Sequence, residues 1–551
     1  MTRRRFARMV DAYSAGRWRG YDTRTLTFAA VLADRASRIG DRVCMEFLED
    51  GRHFSYADVE RLSNRMARAL EALGIGAGSH VAVMLDNTPE HVLLLFALAK
   101  LGATSVLINA AAVGDLLRHF LCTAEASTLV IEESFLSRWL AIRDAVPSIK
   151  RIIVNDGSQM VQLPEGGDVA ATSFQALFEG ADESELTGTR FSDTAHIMFT
   201  SGTTGPSKGV LYTQARSLMY ALDACAYFGL RANDKVYCWM PLTHLSGLQC
   251  GVLAAVMAGA SMALTRQFSA SRFMQEVKAC EATMISMPGA SLNMLWAQPP
   301  REDDRRHNVR ICITVPIPSF AAAFEARFGM RLGAAYGLTD CGMPTAFSLL
   351  DPAVKIGSAG RVMDGWQMKI FDEDDFEVDS GTVGEIVIRC AAPWGASPGY
   401  YNNPHATATA WRNGWFHTGD RGYLDEDGYL WFVGRSKDSI RRRGENISAF
   451  EVEQILQKHG AVAEAAVFPL SSPLGEEDVA AAVVLKSEAR VTVTELHDFC
   501  AQKIPSFMLP RYLIFVSELP RTHSQKVQKH ELVRRFENYR DELWDRERES
   551  H

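Results

Sequence analysis

Much of the chain alternates short apolar runs with helical patterns. His80–Leu85 (HVAVML) is a compact apolar run that predicts a strand, and Pro89–Leu101 (PEHVLLLFALAKL) predicts a helix ended by Gly102-Ala103. Ser105–Ile108 is the next strand, HFLCTAEA the next helix, and Ser127–Ile131 the strand after it. Strand–helix–strand units of this length predict parallel sheets with helices on both faces. The pattern recurs near 235–265 and 280–330.

The texture changes after about residue 355. Short strands separated by glycine turns follow (GSAGRVM, WQMKIFD, GTVGEIVIRC, GYLWFVG), which predict a small β-rich subdomain. After Gly434 it changes again: Phe450–His459 and Val493–Lys503 read as helices, Ala465–Leu470 and Val479–Leu485 as strands. The charged tail ENYRDELWDRERES is expected to be frayed or helical on the surface. At 551 residues the chain is too long for one core. The expected fold is α/β. A large N-terminal domain of stacked α/β sheets spans 1–434, with its β-rich subdomain at about 355–434, and a small mobile α+β C-terminal domain spans 435–551.

One segment, Leu245–Thr265, holds no charged residue and is long enough for a membrane helix. Ser246, Gly247, Gln249 and the break at Gly259-Ala-Ser261 predict instead a buried helix, a turn and a buried strand. The N-terminal MTRRRF meets Asp11 too soon for an export signal and reads as the basic start of a soluble chain. Lys+Arg 58 against Asp+Glu 66 gives a net charge of −8, which argues against nucleic acid as a partner. The ten cysteines sit singly, without C-x-x-C pairs or zinc spacing, as expected for reduced thiols in a cytoplasmic protein.

The candidate chemistry centres on 199–210, FTSGTTGPSKGV. Glycines, hydroxyls and backbone N–H groups in one loop suit phosphate oxygens, and Lys208 adds a compact positive charge. The Walker A spacing fails, because Lys208 follows Ser207 and precedes Gly209. A flexible linker would account for Gly and Ser, but the flanks HIMF and VLY read as strands.

The loop resembles the phosphate loop of the adenylate-forming (AMP-binding) superfamily, with Pro206 and Ser207 exchanged relative to the common order. Four further segments match in the family's order. Tyr336-Gly-Leu-Thr-Asp340 resembles Y-G-x-T-E, and a plain turn is the alternative when it is read alone. Gly414-Trp-Phe-His-Thr-Gly-Asp420 resembles G-W-F-x-T-G-D, where the alternative is a hairpin with an ordinary turn aspartate. Gly434-Arg-Ser-Lys-Asp438 with the following SIRRRGENISAFEVE resembles the family hinge, the middle of the Arg441–Arg443 run being read as a solvated basic patch. Pro520-Arg-Thr-His-Ser-Gln-Lys526 resembles P-[RK]-T-x-x-G-K, with Gln525 in place of glycine.

The resemblance implies an AMP-forming acyl-CoA ligase, nearest to the carnitine/crotonobetaine-CoA and bile-acid-CoA ligase subgroup. By that resemblance Thr200, Ser201, Gly202, Thr203, Thr204, Gly205 and Lys208 hold phosphate. Tyr336 stacks on adenine, Thr339 meets the α-phosphate, and Asp340 helps to hold Mg²⁺. Asp420 accepts the ribose hydroxyls, Arg435 reaches ribose or phosphate, Lys437 is the hinge and Gly444 lies near CoA. Lys526 is the catalytic lysine, with Lys529 as the alternative. His244, in PLTH, either gates the acyl pocket or is a wall histidine. The run Ile313-Thr-Val-Pro316 stands where the family has G-G-A-P, so the adenine or acyl wall is expected to be repacked.

The expected co-substrates are ATP, a small carboxylic acid and coenzyme A, with Mg²⁺. No carrier domain follows the C-terminal unit, which favours free CoA as the acceptor. The segments Leu245–Ala254 and Met284–Leu295 are small and apolar and suit an aliphatic, alicyclic or aromatic acid. Tyr237 or Trp239 could contribute to a cage for a quaternary ammonium. No nucleic acid or transmembrane segment is expected, and a homodimer is left open. The alternatives are an adenylating enzyme that loads a separate carrier protein, and a catalytically weak protein that senses ATP or acyl-AMP.

Overall fold

The structure is a computed structural model that describes residues 16–155, 169–180, 182–200, 207–435, 439–442, 445–472, 477–504, 508–522 and 526–549. Among these residues the expected parallel architecture takes the form of two large sheets. In the seven-stranded sheet, Thr104–Leu107, His80–Met84, Thr128–Glu132, Arg151–Asn155 and Ala170–Ser173 run parallel, and Thr194–Phe199 joins them next to Thr104–Leu107. Gly209–Thr213 closes the edge, antiparallel to Thr194–Phe199. The nine-stranded sheet has Lys235–Cys238, Met284–Pro288, Ile311–Val315 and Arg331–Leu338 near its centre.

Helix Pro89–Leu101 shows why these sheets stack. Thr88 caps it by accepting the His91 N–H, Pro89 occupies its first turn, and Gly102 ends it at φ 72°. Every residue of the helix except Glu90 is buried, Lys100 included. A helix apolar on all sides must lie inside, and one continuous core takes in this helix and strands of both sheets. Lys100 stays charged there by bonding Glu60 Oε2 (2.7 Å), Ser63 Oγ (2.9 Å) and Asn64 Oδ1 (2.7 Å).

Leu245–Thr265 resolves as expected into helical segments, a left-handed turn at Gly259 (φ 67°) and the buried strand Ser261–Leu264, with Leu248–Leu253 wound as a π-helix. Among the described residues no helix is long and apolar enough to cross a membrane. All ten cysteines are free thiols.

The small sheet joins Trp366–Phe371, Gly384–Cys390, Trp415–Leu424, Trp411–Arg412 and Leu430–Arg435. It begins later than the sequence suggests: Arg361–Val362, in GSAGRVM, pairs instead with Gly342–Phe347 of the nine-stranded sheet. C-terminally, helix Ala449–Gln457 precedes the hairpin of Val462–Ser471 with Glu477–Leu485, to which Tyr512–Phe515 adds in parallel.

One expectation holds in part in this last unit and one fails. The tail is helical at Arg540–Glu542 and Arg546–Glu549, but between them Trp544–Asp545 forms an edge strand on Tyr512–Phe515, and buried Asp545 pairs with Arg511 at 3.2 Å. Arg442 is not solvated. It is buried, donates to Leu509 O (3.1 Å) and lies 3.4 Å from Asp478. A buried arginine needs such partners, and they come from strands and loops that a local charge run does not reveal.

Candidate active site

The hydroxyl-rich loop joins strands Thr194–Phe199 and Gly209–Thr213, whose last pair is Phe199 with Gly209. Its neck is closed by Thr200 N donating to Lys208 O (3.0 Å) and Lys208 N donating to Thr200 Oγ1 (3.2 Å). Ser201, Gly202, Thr203, Thr204 and Gly205 lie outside the described residues. His119, from helix Gly114–Thr123, donates through Nε2 to Ser207 O at 2.7 Å and so steadies the loop. Lys208 Nζ sits 4.8 Å from the Tyr400 ring centre. Burial, and then the adjacent Asp340 carboxylate, hold the Tyr400 phenol well above its ordinary range.

The YGLTD segment ends strand Arg331–Leu338 and turns into Gly342–Phe347. Gly337 permits this close return, because a Cβ there would lie 2.6 Å from Gly342 O. The turn is pinned from behind at the Thr339 carbonyl, which accepts from Tyr212 Oη (2.7 Å) and Arg216 Nη2 (2.8 Å). Arg216 Nη1 donates to Leu211 O (2.9 Å), and its guanidinium lies over the Tyr212 ring at 3.5 Å. Thr339 and Asp340 are therefore presented by a fixed backbone.

Tyr336 Oη donates to Asp420 Oδ2 at 2.7 Å in a buried pair. Burial and the Asp420 charge raise the tyrosine far above its usual range, so it remains a donor. Asp420 is not a turn residue: it lies within strand Trp415–Leu424, paired in register with Arg435. Thr418 Oγ1 accepts from Asp420 N (3.0 Å) and donates to Ile386 O (2.6 Å). Glu385 accepts from Gly419 N (3.0 Å) and from His417 Nδ1 (2.9 Å). Among the described residues, Asp375, Glu385 and His417 form the one cluster of metal-binding character. Its carboxylates are already engaged by Arg412, 3.2 Å from Asp375 and 3.4 Å from Glu385, and by Asn413 at 2.7 Å. The cluster therefore reads as a brace behind Asp420.

His244 is half-buried. Its Nδ1 accepts from Ser246 N at 3.2 Å, which leaves the proton on Nε2. Burial, and then the Lys526 ammonium, push it down to about 4, so the ring is neutral near pH 7. Lys526 is exposed, in a loop closed by Lys526 N donating to Thr522 Oγ1 (3.1 Å) and Thr522 N donating to Lys526 O (2.7 Å). Lys529, the alternative, forms an ion pair with Glu453 at 2.7 Å, and Glu453 lines the same cleft.

One cleft of about 1870 Å³ brings these groups together. Thr200, Lys208, Thr339 and Asp340 line it with Tyr336 and Asp420, and His244 and Lys526 line it as well. Arg435 is placed by its backbone alone, beside Asp420. Lys437 and Gly444 lie outside the described residues. Ile313, Val315 and Pro316 of the departing ITVP run also line the cleft. Tyr237 and Trp239 do not: Tyr237 Oη is bound to Glu276 (2.6 Å) and Trp239 Nε1 to Ser286 O (2.9 Å), both side chains packed in the core. Neither of the two aromatics considered for a cationic cage therefore reaches the cleft.

Sequence reading missed Tyr212, Arg216, Tyr400, His119 and the Glu385–His417 brace. Arg216, the one basic residue of the mostly apolar helix Gln214–Phe228, was the one local signal available.

Comparison with known proteins gives this arrangement its class. The AMP-binding enzyme family matches residues 32–401, and the AMP-binding enzyme C-terminal domain matches residues 451–526. The chain belongs to the AMP-binding enzyme family. It is 31% identical over 507 residues to the crotonobetaine/carnitine–CoA ligase of Salmonella typhi, covering 91% of this chain and 97% of that protein. The structure is similar to O-succinylbenzoate coenzyme A synthetase (MenE) from Bacillus subtilis in complex with AMP, with TM-score 0.78, 27% identity and coverage of 91% and 97%. It shares its fold with the anthranilate CoA ligase AuaEII in complex with anthranoyl-AMP, at TM-score 0.85, 23% identity and coverage of 94% and 98%.

Proposed function

We propose that this chain is an AMP-forming acyl-CoA ligase. In the first step a carboxylate oxygen attacks the α-phosphate of ATP, giving an acyl-adenylate and pyrophosphate. In the second, a CoA thiol attacks the acyl carbon and AMP leaves. The observation that carries this reading is the single cleft shared by residues from separate motifs: Thr200 and Lys208, Tyr336 to Asp340, Asp420, and Lys526.

The chemistry assigns their parts. Two anions must meet, so cations are needed where charge develops. Lys208 serves the phosphate chain, and Lys526, more than three hundred residues away in sequence, serves the reacting phosphate. Asp420 receives the ribose hydroxyls with the carboxylate oxygens that Tyr336 leaves unused, and Thr339 meets the α-phosphate. Neutral His244 offers an N–H to the carboxylate without adding charge. A half-buried single carboxylate beside the phosphate loop suits Mg²⁺, which prefers few carboxylates plus phosphate oxygens and water. Asp340 would hold the ion, and the ion would supply positive charge to the phosphates.

Arg435 and Lys437 at the junction near 434, with Gly444 beyond it, complete the reading as nucleotide contact, hinge and CoA-facing positions. The split into a 1–434 unit and a mobile 435–551 unit belongs to the same proposal, as does a cytoplasmic setting, which suits ten free thiols.

The test is pyrophosphate release with Mg-ATP across a panel of carboxylic acids, with and without CoA, and products identified by mass. AMP and an acyl-CoA, formed only with CoA present, are expected. Acyl-AMP that accumulates without consuming CoA replaces CoA with a carrier-protein acceptor. ATP binding without pyrophosphate release on any acid overturns the ligase reading in favour of a sensor.

A further inference from the structure

The strand that leaves the phosphate loop, Gly209–Thr213, is an edge of the seven-stranded sheet, and residues 397–401 lie along its outer side. Tyr401 N donates to Gly209 O (2.7 Å), Leu211 N donates to Gly399 O (3.1 Å), and Ser397 Oγ donates to Leu211 O (3.0 Å). The segment is also tied to the helix that follows it, Pro404–Ala410. Tyr400 N donates to Thr407 Oγ1 (3.0 Å). Gly399, at φ 133°, sits so close that a Cβ would lie 2.6 Å from Thr407 Cγ2. Tyr400 therefore stands on a backbone fixed from both sides.

Successive side chains of an extended segment point opposite ways. Tyr401 turns to Glu125, to which its hydroxyl donates (2.8 Å), and meets the His80 ring edge-on at 4.9 Å. Tyr400 turns to the phosphate end of the cleft, among Thr200, Lys208, Thr339 and Asp340. The Lys208 ammonium lies over its face, 4.8 Å from the ring centre, and the Asp340 carboxylate lies at its hydroxyl. All three side chains are half-buried. One ring thus stands between a cation from the phosphate loop and an anion from the turn after Arg331–Leu338. Opposite charges this near attract strongly where water is partly excluded. Without the ring each would be drawn to the other, and Lys208 would be lost to the phosphates.

On the ligase reading above, we propose that Tyr400 is a positioning residue that holds Lys208 and Asp340 apart. Its ring face keeps the ammonium. Its hydroxyl donates to the carboxylate and keeps Asp340 turned from the lysine. Both charges are then presented to the phosphates of the nucleotide.

The test is ATP binding by titration calorimetry on the full chain in EDTA, which reads Lys208 without metal and without turnover. Tyr400→Leu is expected to weaken ATP binding by on the order of tenfold, whereas Tyr400→Phe, which keeps the ring, stays within about threefold of the parent. Should Tyr400→Leu not fold, Tyr400→Met takes its place. Asp340→Asn removes the carboxylate that would capture Lys208. It also relieves repulsion of the phosphates in any background, so the comparison between backgrounds decides. Asp340→Asn is expected to strengthen ATP binding about tenfold more in Tyr400→Leu than in the parent. A residue that merely packs the loop would give equal gains. Equal gains, or a Tyr400→Leu affinity like the parent's, overturn the proposal and leave the ligase reading intact. A parent that binds ATP only with Mg²⁺ also overturns it, because a lysine held ready engages phosphate without metal. A parent that binds no ATP with or without Mg²⁺ overturns the ligase reading itself.

Discussion

Asp420 and Lys526 face one cleft from supports of opposite character. Asp420 is 2% exposed, sits within a paired strand, accepts a hydrogen bond from buried Tyr336 and is braced through Gly419 by Glu385 and His417. Lys526 is exposed, in a short loop closed by bonds with Thr522. Thr339 resembles Asp420 in its support, since Tyr212 and Arg216 fix its carbonyl. On the proposed roles, the nucleotide wall is set before ligand arrives, whereas the reacting cation comes from a less buried support. That division would suit a two-step ligase in which the lysine serves adenylation and then makes room for the thiol.

The sharpest way to break the comparison is at the lysine. Lys526→Ala should lower the rate of pyrophosphate release by on the order of 10²–10³. ATP affinity, read by titration calorimetry, and the thermal midpoint should barely move, because substitutions at exposed positions usually change stability little. A large loss of ATP binding would place Lys526 in the preset wall instead. The opposite signature is expected at Asp420. Asp420→Ala removes the ribose acceptor and orphans the Tyr336 hydroxyl, so ATP affinity should fall by roughly 10–10²-fold. Tyr336→Phe keeps the carboxylate and should cost less than about tenfold. Equal losses from the two would mean that the tyrosine does more than hold Asp420.

How much of this was legible beforehand depends on where each partner lies. The helix Pro89–Leu101 and its stop at Gly102 were readable because an apolar run and a left-handed glycine are local facts. That Thr200, Lys208, Tyr336, Asp340, Asp420 and Lys526 would share one cleft was readable because their motifs stand at characteristic spacings. Arg216 was not, because it acts on the backbone carbonyl of Thr339, and a carbonyl leaves no mark on residue type. For Asp420 the alternative of a hairpin turn falls away: Gly419 before it, at φ 69°, sits inside a strand whose register slips nearby. Arg442 misled because its partner, Asp478, lies on another strand. The small sheet was placed too early because pairing partners, unlike strand propensity, are not local.

The preset wall should also be the acid-sensitive part of the molecule. His91 and His196 lie buried in the packing around the phosphate-loop strand, and burial pushes them down to about 4 and about 3. Above the unfolded value near 6.5 both states are neutral and neither histidine adds pH dependence. Below it the unfolded chain takes up protons that the folded chain refuses, so stability falls with pH, by up to about 1.4 kcal/mol per pH unit for each histidine. The fall continues until the folded values are reached. Urea unfolding between pH 7 and 5 should show this slope, to which half-buried His244 and His307 add, and His196→Leu should remove the share that His196 contributes. A slope unchanged by His196→Leu would assign the acid sensitivity to other groups.

The smallest effect expected is the most pointed control. Lys529 lies three residues beyond Lys526, on the same arm and with the same charge, but its ammonium is tied to Glu453 at 2.7 Å. Glu453 in turn accepts from Val467 N at 2.8 Å, so the pair belongs to the scaffold of the C-terminal unit. Partly buried pairs of this kind contribute modestly to stability, on the order of 1 kcal/mol. Lys529→Ala should therefore lower the thermal midpoint slightly and leave adenylation within about threefold of the parent, because an ion pair of that size sets the scale of any disturbance. If Lys529→Ala instead matched the rate loss of Lys526→Ala, the cation at the reacting phosphate would not be assigned to one lysine, and the contrast between a fixed wall and a single reaching side chain would have to give way to a shared charge on the whole arm.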